Sequence, residues 1–187
     1  MPLWEHYHRP STVEQALDNL AHYAGRARIL AGGTDLLLEM QQGRKPPVEA
    51  LVDVTQIPEL CQINEGDGFI YIGAGVTHTA ITHSELLTQK ATCLVESCGV
   101  IGGPQVRNVA TLGGNVAHAL PAADGTIALT ALDAVAEVAG AAGRRRMPFT
   151  SLFLGPGKSA IDKTKEIIVG FYLPTAGLHQ ASCFKRI

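Results

Sequence analysis

With 187 residues, 46% of them apolar and 17% charged, the chain is long enough to bury a core without leaning on metals or disulfides. A formal net charge of −2 and an aromatic content of 5% argue against a nucleic-acid surface, which needs a basic face and stacking rings. Cys61, Cys93, Cys98 and Cys183 follow no metal-finger or iron–sulfur spacing, the first residues lack a signal-peptide pattern, and no window approaches a membrane span. The expected setting is the cytoplasm, with reduced thiols and no membrane partner.

Ser11-Thr12-Val13-Glu14, after Pro10, reads as a capping box, and Val13, Ala16, Leu17, Leu20 and Ala21 continue it as one apolar stripe. A helix ending at Gly25 is predicted. Ala27 to Leu30 is a short strand, Leu36 to Met40 a helix stopping at Gly43, and Ala50 to Val54 a second strand. Strand and helix alternate here, so a small lobe with parallel strands is expected over residues 1–57. Gly66-Asp67-Gly68 then turns the chain into Phe69-Ile70-Tyr71-Ile72-Gly73, which suggests antiparallel ribbon. Helices are predicted over Thr77 to Leu87, Ala91 to Cys98 and Gly125 to Leu132. Ala134 to Ala139 and Arg144 to Phe149 read as strands joined by a turn at Gly140 to Gly143. Ile167 to Leu173 is a last strand, stopped by Pro174.

Two glycine-rich boxes about eighty residues apart carry the chemistry: Ala31-Gly32-Gly33-Thr34-Asp35-Leu36 and Ala110-Thr111-Leu112-Gly113-Gly114-Asn115, the second followed by Pro121 and Asp124. Each sets bare backbone beside a hydroxyl, so successive amides can converge on a phosphate without Cβ atoms in the way. In the first, a strand ends and a helix begins, where free N–H groups favour an anion. The competing reading is a helix cap by Thr34 or Asp35 after a tight turn. The second box, taken alone, reads as a hairpin or left-handed turn, and Asp124 as a helix cap or as an acceptor for ribose hydroxyls. Two such loops in one domain resemble the halves of a clamp on a diphosphate.

Other motifs carry less. Gly155-Pro156-Gly157-Lys158-Ser159 has Leu152 where a phosphate-binding loop needs its first glycine, and Gly73-Ala74-Gly75 has His78 where a dinucleotide fingerprint needs its third. The His6/His8 and His78/His83 pairs lack completing ligands, so no metal is expected. Arg144-Arg145-Arg146 reads as solvated surface with the option of touching a partner.

With Gln105-Val106-Arg107-Asn108 leading into the second box, the chain resembles the FAD-binding domain of the molybdenum hydroxylases, the xanthine dehydrogenase and carbon monoxide dehydrogenase flavoproteins. The resemblance runs from about Tyr7 and Pro10 to Phe184-Lys185. It implies an α+β fold of the two-lobed vanillyl-alcohol-oxidase/CO-dehydrogenase flavoprotein type. The small α/β lobe would be residues 1–57 and the larger mixed-sheet lobe residues 58–187, with extended FAD between them. Ile29, Leu30, Ala31, Gly32, Gly33, Thr34, Asp35 and Leu36 would wrap the diphosphate and its surroundings, and Thr111, Leu112, Gly113, Gly114 and Asn115 would close on it. Ile101 would make an apolar contact, Asp124 would meet a polar part of FAD, Ile168 would pack near the ring system, and Lys185 matches a lysine near the flavin. The family's further C-terminal domain is absent after Ile187, as in an excised fragment or a natural short form.

The resemblance implies an FAD-binding electron-transfer component of a molybdopterin-dependent dehydrogenase. Electrons would come from a 2Fe–2S subunit fed by a molybdopterin subunit and leave to NAD or another acceptor. Two alternatives keep the fold. One is a direct flavin oxidase, in which His118 is a candidate covalent tether; the other is a non-catalytic FAD-binding or assembly module.

Overall fold

The computed structural model describes residues 2–120, 122–175 and 180–186; Pro121 and Ile187 lie outside the described residues. The first part of the chain forms β1 (His6–His8), α1 (Val13–Tyr23), β2 (Ala27–Leu30), α2 (Leu36–Gln41) and β3 (Ala50–Asp53). Helix α1 begins because Thr12 Oγ1, on extended backbone, accepts the Gln15 N–H at 3.2 Å. Gln15 Oε1 reaches back to the Ser11 amide and hydroxyl at 2.9 and 3.0 Å, so Gln15, not Glu14, completes the capping box. The helix stops at Ala24 and Gly25, both left-handed at φ 45° and 92°.

The three strands pair in the order β1-β3-β2, all parallel, with β3 buried at all four positions. Strand β1 is absent from the sequence reading because His6-Tyr7-His8 has no apolar run; pairing with Ala50 to Val52 alone makes it a strand.

The rest of the chain builds β4 (Ile63–Gly66), β5 (Phe69–Gly73), α3 (His78–Thr82), α4 (Glu85–Lys90), α5 (Thr92–Gly99), α6 (Pro104–Arg107), α7 (Leu112–His118) and α8 (Asp124–Ala131). There follow β6 (Val135–Gly140), β7 (Gly143–Pro148), the short hairpin β8 (Phe153–Gly155) and β9 (Lys158–Ser159), and β10 (Ile167–Pro174). An antiparallel five-stranded sheet runs β4-β5-β10-β6-β7. Side chains alternate across it, and Ile70, Ile72, Ala136, Val138, Phe171 and Leu173 are buried in one core with Ile81, Leu94, Leu112 and Leu129 of the helices. On the opposite face Ala139, Ile167 and Val169 share a second core with Val13, Ala16 and Leu20 of α1 and with Ala50 and Val52 of β3. Helix α1 is thus packed between the two sheets, where Val13 and Leu20 each contribute about 1.5–3 kcal/mol by burial.

The single helix expected over Thr77 to Leu87 is two. Thr77 and Ser84 each accept an amide three residues on, from Ala80 (3.1 Å) and Leu87 (3.3 Å), and so start separate helices. The arginine run is exposed, as expected, and is also paired with carboxylates. Arg144 pairs with Glu59, Glu137 and Glu14 (2.9 Å to the last), Arg145 with Glu166 at 2.6 Å, and Arg146 with Glu137 at 3.0 Å while lying 3.9 Å above the Tyr172 ring. These guanidiniums join α1, the β4 approach and the sheet, because the β6–β7 register points them at carboxylates distant in sequence.

Glu137 sits buried in this network, and Asp53 is buried in a separate one with Tyr7, Thr55 and Arg9. Burial alone would raise both carboxyls, but Tyr172, Arg146 and Arg144 lower Glu137, and Thr55, Tyr7 and Arg9 lower Asp53, so each lies below its ordinary value of 4.5 or 3.8. A depressed folded-state value contributes stability that is complete above the unfolded value and is lost as pH falls through the folded one. Urea midpoints are therefore expected to be flat with respect to these two groups above about pH 5 and to fall below the ordinary values of 4.5 and 3.8; Glu137→Gln should flatten part of that acid limb.

Candidate functional site

A cleft of about 750 Å³ opens where β2 ends and where α3, α7 and α8 begin. That volume suits an extended small molecule. The first box follows β2 directly and leads into α2. Among the described residues, no acceptor takes the N–H groups of Gly32, Gly33, Thr34 and Asp35. Gly33 turns the chain at φ 69°, and Asp35 precedes α2 without a side-chain cap, so the capping alternative is not what the loop does. Gly32 has a different reason to be glycine: a Cβ there would lie 2.1 Å from Val109 O and 2.7 Å from Ala110 Cα. The first box is thus seated on the backbone that opens the second.

The second box is no hairpin. Thr111 caps α7 by accepting the Gly114 N–H at 3.1 Å, and its backbone bridges Thr77, the cap of α3. Leu112 N–H donates to Val76 O (2.9 Å), Gly113 N–H to Ala74 O (2.8 Å) and Asn115 N–H to Thr111 O (3.0 Å). All four of these amides are therefore engaged within the protein. The expectation that amides from both boxes jointly face one diphosphate is corrected: free N–H donors come from the first box, and the second supplies a closely packed wall. Gly113 lets that wall approach, since a Cβ there would stand 2.5 Å from Ala74 Cβ.

Of the residues singled out from sequence, Ile29, Leu30, Ala31, Gly32, Gly33, Thr34, Asp35, Leu36, Ile101, Thr111, Gly113, Gly114, Asn115, Asp124 and Ile168 all line this cleft. Leu112 does not, because it is wholly buried in the helix core, and Lys185 is exposed and outside the lining. Asp124 is the first residue of α8, makes no cap hydrogen bond, and pairs with Arg186 at 3.6 Å. His118 Nε2 meets Glu39 Oε1 at 3.4 Å.

Several lining residues carry no sequence signal. Arg28, Lys45 and Lys163 make one part of the lining basic. Lys45 is offset by Glu39, whereas no carboxylate pairs with Lys163 among the described residues. Partial desolvation, then the like charge of Lys45, lower the Lys163 ammonium against an opposing contribution from Glu39. His78, 1% exposed, also lines the cleft, and burial followed by the Arg107 charge pulls it down to about 4, so its ring is neutral at physiological pH. No spacing tied these positions to one site, because β2, the α2–β3 connection, α3 and the β9–β10 loop bring them in from separate segments.

The lining meets a phosphate-bearing dinucleotide on its own terms. It offers uncommitted amides at a glycine loop, basic side chains at Arg28 and Lys163, and apolar walls at Ile101 and Ile168.

Comparison with known proteins agrees. Residues 4–176 match the family described as the FAD binding domain in molybdopterin dehydrogenase. The chain is 32% identical over 182 residues to the nicotinate dehydrogenase FAD-subunit of Eubacterium barkeri, covering 95% of this chain and 61% of that protein. It is 33% identical over 168 residues to the carbon monoxide dehydrogenase medium chain of Hydrogenophaga pseudoflava, covering 90% and 58%. The solved carbon monoxide dehydrogenase from that organism, in a form lacking the Mo-pyranopterin moiety, superposes with a TM-score of 0.90 at 32% identity over 95% of this chain and 61% of the other. Quinoline 2-oxidoreductase from Pseudomonas putida 86 gives 0.88 at 28% identity, with 95% and 61% covered. The chain spans about three fifths of the length of these relatives.

Proposed function

We propose, because this chain belongs to the family of FAD-binding domains in molybdopterin dehydrogenases, that it holds FAD in the cleft and serves as the electron-transfer component of such a dehydrogenase. One observation supports the reading above all: the uncommitted N–H groups of Gly32, Gly33, Thr34 and Asp35 point to an anion at the point where the two boxes touch. The diphosphate is held there, the basic lining at Lys163 and Arg28 adds counter-charge, and Ile101 and Ile168 pack on the apolar parts of the cofactor. Bound FAD supplies the redox chemistry, and the protein supplies binding, orientation and exclusion of water.

The two lobes of this reading are residues 1–57 and 58–187. Electrons arrive from a 2Fe–2S subunit, itself supplied by a molybdopterin subunit, and leave to NAD or another acceptor. A cytoplasmic setting fits the free thiols of Cys61, Cys93, Cys98 and Cys183, and no helix among the described residues is long and apolar enough to cross a membrane.

An absorbance spectrum of the untreated purified protein, with mass spectrometry of what co-purifies, is the direct test. The expected result is a flavin spectrum and FAD released by acid. Flavin that stays with the acid precipitate would favour the tethered oxidase at His118. Colourless protein that takes up no FAD on titration would remove the reading.

A further inference from the structure

Residues 182–186 reach the cleft past α5, and their contacts with the rest of the chain fall on every second residue. Ser182 Oγ accepts the Cys93 N–H at 3.3 Å, the Phe184 N–H donates to Glu96 Oε2 at 2.6 Å while its side chain packs against the helix core, and Arg186 pairs with Asp124 at 3.6 Å. Cys183 and Lys185, between them, are exposed. A period of two is that of an extended chain, in which neighbouring side chains face opposite ways. It turns Lys185 outward and Arg186 to the cleft, which Arg186 and Asp124 both line. The Arg186 side chain is 63% exposed, makes no hydrogen bond among the described residues, and stands too far from the Asp124 carboxylate for one. Its N–H donors are therefore uncommitted at the surface of the cleft.

We propose that Arg186, not Lys185, is the cation this segment brings to the cofactor: its guanidinium donates to an oxygen of FAD while Asp124 keeps it at the lining. This rests on the reading that FAD occupies the cleft. A guanidinium suits the task, because it stays charged and its five N–H donors let it bond a ligand oxygen without leaving the carboxylate. The partner chemistry is an oxygen acceptor, present on the ADP half and on the flavin half of FAD alike. Anchoring the segment does not account for Arg186, since Ser182 and Phe184 already hold it and an exposed ion pair at this separation contributes little to stability.

The test titrates the full chain, freed of flavin, with FAD, FMN and ADP, comparing wild type with Arg186→Gln and Lys185→Gln. The second variant removes the same charge one residue away and so controls for bulk electrostatics. Arg186→Gln is expected to bind FAD about tenfold more weakly, and Lys185→Gln to remain within about twofold of wild type. Without flavin, Arg186→Gln should melt at the wild-type temperature. The loss on replacing Arg186 should also persist in an Asp124→Asn background, because the contact is made by the guanidinium itself. Weakening with ADP places that contact on the ADP half, and weakening with FMN alone places it on the flavin half; either supports the proposal. Equal FAD affinity in wild type and Arg186→Gln overturns it, as does an equal loss in Lys185→Gln, a loss that vanishes when Asp124 is replaced, or a flavin-free Arg186→Gln that melts well below wild type. Wild-type protein that takes up no FAD overturns the cofactor reading itself.

Discussion

Gly32→Ala, a change of one methyl group, is expected to lower the unfolding free energy by about 3 kcal/mol or more and to leave the purified protein without flavin. The new Cβ would lie 2.1 Å from Val109 O and 2.7 Å from both Val109 C and Ala110 Cα. All three are backbone atoms, so no side-chain rotation relieves the overlap. The neighbouring segment is itself tied down: Ala110 N–H donates to Val106 O at 2.7 Å, Ala110 O accepts from His78, and Thr111 bridges Thr77. Either the first box lifts away from the second or the α6–α7 connection moves, and both break the joint where the free amides are presented. Urea unfolding followed by circular dichroism, with flavin absorbance measured on the same preparation, checks this. A wild-type midpoint would show that the two boxes do not touch in solution.

Gly114→Val should separate binding from folding. A Cβ at Gly114 meets only Thr111 Oγ1, at 3.1 Å, and the backbone there is not left-handed, so the fold is expected to lose no more than about 1 kcal/mol. Because Gly114 lines the cleft, an added isopropyl group takes up ligand space instead. FAD affinity is expected to fall by about a hundredfold or more, equivalent to about 2.7 kcal/mol. Isothermal titration with FAD, beside thermal melts of wild type and variant without ligand, reads the two effects independently. Gly33 is a poorer site for this comparison. Its φ of 69° and the Leu30 and Leu37 side chains 2.9–3.0 Å from a Cβ strain any replacement, so lost flavin there would not distinguish binding from folding.

The elements legible from sequence were those whose signal is local and periodic. Helix α1 announced itself through its cap and stripe, β5 and β10 through apolar alternation closed by turn residues, and the β6–β7 hairpin through its glycines. The α+β fold and the FAD family were legible from the order and separation of two short boxes. Elements without a pattern of their own went unseen: β1 is made a strand by pairing with β3, and α6 and the β8–β9 hairpin are too short to show a period. The second box was misread for a related reason. Thr-Leu-Gly-Gly-Asn suits a tight turn as well as a helix start, and the choice is made by Ala74 O and Val76 O, acceptors nearly forty residues upstream that take the Gly113 and Leu112 amides.

What this chain's residues determine by themselves is the inventory: where bare backbone is available, which stretches must be buried, and that the whole resembles an FAD-binding domain. Tertiary structure alone decided which of those resources remain uncommitted. Amides of the first box stay free while those of the second are spent internally, and His78 Nδ1 is buried without a partner among the described residues. A hydrogen-bonding group is free or engaged according to what the fold places within about 3 Å of it, and that distance is not encoded in any one segment.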